Sequence, residues 1–89
     1  MADQHQEIAR GNRALSLIED PLLQECFQAV ETAYTEAWRV SPAGAAADRE
    51  RCWMALRLIE QIRGHLVTVL QDGQIAAADV AQEQEKIDV

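Results

Sequence analysis

The sequence predicts an all-α protein built round an antiparallel helical hairpin, with a shorter N-terminal helix before it and a short C-terminal helix after it. Three observations carry this reading. Ala, Leu, Glu, Gln and Arg are abundant and favour helix, while Val, Thr, Tyr and Phe, on which strands depend, are sparse. Apolar residues recur at steps of three and four. Two of the helices so defined also match each other when the chain is folded back on itself about the link of small residues at 43–47.

The first helix is expected from Gln4 to Glu19, with Ile8, Leu15 and Ile18 on one face and Ala14 and Leu17 beside them. Gly11-Asn12 interrupts it, at a cost of about 1 kcal/mol against a better helix former, so its first turns are expected to fray. Glu19-Asp20-Pro21 then breaks the chain. Asp20 is a suitable N-cap, and Pro21 fits the first helical position, where a missing N–H costs nothing.

The second helix is expected from Pro21 to about Val40. Its apolar set is Leu23, Cys26, Phe27, Val30, Ala33, Tyr34, Ala37 and Trp38, opposite a polar face of Gln24, Glu25, Gln28, Glu31, Thr32, Thr35, Glu36 and Arg39. That is a strongly amphipathic pattern. Ser41-Pro42 stops it, and residues 43–47 form a link of small residues.

Asp48 is expected to cap a third helix running from Arg49 to about Asp72, with Cys52, Trp53, Leu56, Ile59, Ile62, Leu66, Val69 and Leu70 facing the core. Met54, Leu58 and Val67 widen that band, which implies contacts on two sides: the first helix or a second chain. Gly73 is expected at the C′ position of a Schellman-type stop, followed by Ile75. A short fourth helix over Gln74 to Gln84 follows, and about 1–7 and 83–89 are expected to be loose tails of a single helical domain spanning residues 1–89. In the predicted hairpin, residues whose numbers sum to about 90 lie level. Trp38 then meets Trp53, Tyr34 meets Leu56, Val30 meets Ile59, Phe27 meets Ile62 and Leu23 meets Leu66, each pair apolar on both sides.

A chain of 89 residues is one domain by length and buries little surface alone, so a partner chain is a natural source of stability. Net charge is -7, with fifteen acids against eight bases. Such a field opposes duplex DNA, whose binding rests on Lys and Arg, so direct nucleic-acid binding is not expected. The opening Met1-Ala2-Asp3-Gln4-His5-Gln6 lacks a basic start with an apolar core behind it, and no run approaches the roughly 20 apolar residues of a spanning helix. No membrane contact is expected, and the expected location is cytoplasmic.

The chemistry-bearing residues are few. Cys26 and Cys52 are offset by about ten residues in the hairpin, or about 15 Å, too far for a disulfide; both read as buried small hydrophobes. His5 and His65 share no metal-ligand spacing with them, so neither metal nor cofactor is expected. No Ser or Thr stands with a histidine in a nucleophilic pattern, and the four glycines are isolated rather than gathered in a phosphate loop. The chain is therefore not expected to be an enzyme. Candidate interface residues are Trp38, Arg49, Arg51, Trp53, Arg57, Ile59 and Val69. The two tryptophans are read first as caps of the core, and otherwise as interface anchors. The acidic face of the second helix, Glu25, Glu31 and Glu36, is read first as a solvated face and otherwise as an imitation of a phosphate backbone.

Glu19-Asp20-Pro21-Leu22-Leu23, Ala37-Trp38, Ser41-Pro42-Ala43, Arg49-Glu50-Arg51 with Trp53, and Arg63-Gly64-His65-Leu66 resemble a group of small uncharacterised helical proteins of tailed bacteriophages and prophages, over about Ile8 to Val80. The resemblance carries no catalytic residues. It implies a phage gene expressed in a bacterial host cell, with genome packaging or virion assembly as the setting, and the virion as a second location. The expected function is that of a non-catalytic helical assembly or adaptor protein acting by protein-protein contacts, as a homo-oligomer or with another phage or host protein. The alternative is a small acidic inhibitor of a host enzyme or defence complex, an anti-CRISPR-type decoy.

Overall fold

In the computed structural model, residues 3–87 are described, and they form three helices: α1 (Gln4–Glu19), α2 (Pro21–Arg39) and α3 (Ala46–Ile87). There is no strand among the described residues. The expected tails at Met1, Ala2, Asp88 and Val89 lie outside the described residues, whereas residues 4–7 and 83–87 are helical.

The break between α1 and α2 follows local chemistry. The Asp20 carboxylate accepts hydrogen bonds from the backbone N–H groups of Leu22 (2.8 Å) and Leu23 (3.0 Å), and Pro21 occupies the first turn. Two donors that no helical carbonyl can reach are thereby satisfied. At the far end of α2 the Val40 N–H donates to the Glu36 carbonyl (3.0 Å), and the Ser41 hydroxyl donates to the Trp38 carbonyl (2.7 Å).

The third helix departs from expectation at both ends. It begins at Ala46, so Asp48 lies within the first turn rather than at the cap. There its charge still suits the positive end of the helix dipole. More importantly, α3 does not stop at Gly73, and the separate fourth helix over 74–84 does not exist; α3 is one helix of 42 residues. Gly73 is not in the left-handed conformation of a C′ glycine, since no glycine among the described residues has positive φ. Its lack of a Cβ serves packing instead.

The chain forms two compact units, which share α3. One comprises residues 3–19 and 65–87. Here α1 lies antiparallel to the second half of α3, with Leu17 near Leu66 and Ile8 near Ala77. The crossing is at glycine on both sides: a Cβ on Gly11 would lie 2.9 Å from the Gly73 Cα. Ala14 and Ala76, each 2% exposed, complete a contact of small residues. Gly11 therefore does not fray α1, which is continuous from Gln4; close approach offsets its conformational cost.

The other unit comprises Asp20–Gly64. Ile59 is its buried residue, 8% exposed, with Leu23, Phe27, Cys52, Ala55 and Leu56 half-buried. Arg63 joins α3 to α2: its guanidinium pairs with the Glu31 carboxylate and lies 4.9 Å from the centre of the Phe27 ring. Trp38 and Trp53 do not cap a core. They are 51% and 57% exposed. Cys26 is also exposed rather than buried, Cys52 is half-buried, and both are free thiols.

Candidate protein-protein interface

α2 is strongly amphipathic, yet none of its residues is buried. Only Leu23 and Phe27 of its apolar residues are half-buried, and Phe27 lies against Arg63 of α3. The rest are exposed: Leu22, Cys26, Ala29, Ala33 and Ala37, continued by Val40 at the C-cap, and also Val30, Tyr34 and Trp38, which the hairpin pattern places in the core. Leu22 and Val40 are 67% and 65% exposed. On α3, Met54, Leu58 and Ile62 recur at steps of four and are also exposed. Single exposed apolar side chains are ordinary, but a row of them along one helix marks a contact surface.

The residues singled out from the sequence separate into three settings. Trp38, Arg51, Trp53 and Arg57 stand on the exposed surface of the Asp20–Gly64 unit. The Arg57 guanidinium lies 5.4 Å from the centre of the Trp53 ring, one helical turn back, a weak attraction at an exposed site. Arg51 pairs with Asp48 at 3.8 Å, both well exposed, which contributes little. Arg49 has another occupation: it donates to the carbonyls of Pro42 (2.6 Å) and Ala43 (3.2 Å) and to the Ser41 hydroxyl (3.4 Å). It therefore holds the α2–α3 connection by satisfying backbone acceptors that no helix ladder reaches. Ile59 is turned inward. Val69 lies half-buried in the other unit, its carbonyl 3.4 Å from where a Gly11 Cβ would be. The chain matches no family model, no curated protein and no solved structure. The surface rows on α2 and α3 must therefore be interpreted from their own chemistry.

The sequence reading missed the outer row of α2, although its signal is legible: positions 22, 26, 29, 33 and 40 keep heptad spacing, interrupted only by Glu36. Treating the whole apolar set as one core face concealed a second strip beside the first.

Two other features bear on chemistry. A groove between α1 and α3 is lined by Glu7, Arg10, His65, Thr68, Val69 and Asp72 and encloses about 130 Å³. This is below the few hundred Å³ typical of a small-molecule site. No group of three or more His, Cys, Asp or Glu among the described residues is arranged to hold a metal ion, and no helix among them is long and apolar enough to cross a membrane. On the acidic face of α2, Glu36 is held by Arg39 through two hydrogen bonds of 3.1 Å, and Glu31 is held by Arg63.

Proposed function

We infer that this protein is a non-catalytic helical assembly or adaptor protein that acts by protein-protein contacts, first of all with further copies of itself. The observation that carries this reading is the outer apolar face of α2, an amphipathic helix with no buried residue. The phage setting, in genome packaging or virion assembly, rests on the sequence resemblance alone. The hairpin belongs to the same reading: α2 lies antiparallel to the first half of α3 in the register where level residues sum to about 90, supported by the contact of Arg63 with Phe27.

The decoy reading is the weaker one. A phosphate mimic needs free carboxylates, and two of the three acids on that face of α2 are engaged by arginines of the same chain. The two readings separate by solution mass, measured by light scattering after size exclusion at low and high salt. Self-assembly through apolar surface gives a discrete oligomer that persists in salt. A monomer at every concentration removes the assembly reading; capture of a basic host protein that salt releases would install the other.

A further inference from the structure

We propose that the outer face of α2 is a homodimer seam, on which α2 of a second copy packs antiparallel about a two-fold axis near residue 31. This rests on the self-association reading above and adds to it the surface, the occupant and the orientation. The seam is the strip Leu22, Cys26, Ala29, Ala33, Glu36 and Val40, whose alternating steps of four and three are those of two helices in extended contact. It lies about a third of a turn round the helix from Leu23 and Phe27, which face α3, so α3 leaves it open. Its apolar members are exposed throughout. Alanines at the centre let two helix backbones approach closely, and the large side chains at the ends, Leu22 and Val40, complement each other.

Self-complementarity identifies the occupant. With two copies antiparallel, layers form between residues whose numbers sum to about 62. Leu22 then lies level with Val40 of the other copy, and Ala29 with Ala33, each twice by symmetry. The residues flanking the strip also match. On one side Glu25 faces Arg39 of the other copy, again twice, and Thr32 faces Thr32. On the other side Val30, exposed in the single chain, faces Val30. On the first side Glu25 and Glu36 of the other copy also fall within one residue of level, so Arg39 of that copy stands between two carboxylates. The one polar member, Glu36, lies level with Cys26 and keeps its own Arg39, at 3.1 Å, so the carboxylate enters the seam already paired. A parallel pairing in register would instead set Glu36 against Glu36, which is unfavourable for like charges. α2 spans 19 residues, about 28 Å, so the strip runs along more than five helical turns.

The test uses the full chain. The native protein is expected to show a dimer mass that persists in high salt, and Ala33→Arg is expected to convert it to monomer, since a guanidinium would be forced into the alanine layer. In a Cys26→Ser, Cys52→Ser background, Thr32→Cys is expected to cross-link on mild oxidation, because residue 32 meets itself near the axis; Gln28→Cys, about a third of a turn away from the seam, is expected not to. The native chain is expected not to cross-link through Cys26. A native chain that is monomeric at every concentration overturns both the self-association reading and the seam. An oligomer that survives Ala33→Arg, with no cross-link at residue 32, overturns the seam and leaves self-association standing. Rapid Cys26–Cys26 cross-linking of the native chain overturns the antiparallel orientation.

Discussion

A Cβ placed on Gly73 would lie 2.8 Å from the Cα of Gly11 and 2.9 Å from the Glu7 carbonyl oxygen. The backbones of α1 and α3 touch at this point, and neither surface offers a flexible side chain that can yield. Gly64, in the same helix, has no neighbour within 4 Å of where its Cβ would be.

Alanine substitution should therefore have opposite effects at the two α3 glycines. At an open helical site, Gly→Ala gains up to about 1 kcal/mol in helix propensity. Overpacking a tight crossing costs about 1–3 kcal/mol. Gly64→Ala should raise stability, and Gly73→Ala and Gly11→Ala should lower it, in urea unfolding followed by circular dichroism. Equal effects at 64 and 73 would refute the crossing.

Asp20→Ala should lower stability by about 1 kcal/mol, the usual cost of losing an N-cap acceptor. Two N–H groups lose their partner, so Asp20→Asn should recover most of the loss. If Asn recovers none of it, the carboxylate acts by something other than capping.

Arg63 and Arg51 are both paired with acids, but in different surroundings. The Arg63–Glu31 pair is partly shielded and also covers the Phe27 ring, while the Arg51–Asp48 pair is open to solvent. Arg63→Met should cost about 0.5–1 kcal/mol, and Arg51→Met no more than a few tenths. Comparable losses from the two, in thermal unfolding at one salt concentration, would contradict this ranking.

Ile59 and Leu58 are chain neighbours about 100° apart round α3, Ile59 buried and Leu58 exposed. Ile59→Ala should cost about 2–4 kcal/mol. Leu58→Ala should stay within about 0.5 kcal/mol, measured where the protein is dilute enough for association not to contribute. A charge at Ile59 is thus expected to unfold the Asp20–Gly64 unit rather than simply dissociate an oligomer. Loss of an oligomer in an Ile59 variant that remains fully helical would reverse that assignment.

Most of the helical structure was legible in the sequence, because its signals are local. Asp20-Pro21 caps and starts a helix through atoms no more than three residues apart, and Ser41-Pro42 ends one in the same way. The candidate site was legible only in part. Trp38, Arg51, Trp53 and Arg57 stand at the surface, whereas Arg49 is taken up by the carbonyls of the connection and Ile59 by the core. Which apolar strip of a helix is covered depends on how much a neighbour can reach, and spacing alone does not show this.

Gly73 marks the boundary most clearly. A glycine that ends a helix and a glycine that lets a second helix touch it have the same local sequence. The amino-acid sequence by itself determined that the chain is helical, where α2 begins and which residues are apolar. Only the tertiary structure decided that α3 runs on through Gly73, because the reason for that glycine lies on another helix, at Gly11, where two backbones meet with no room for a side chain.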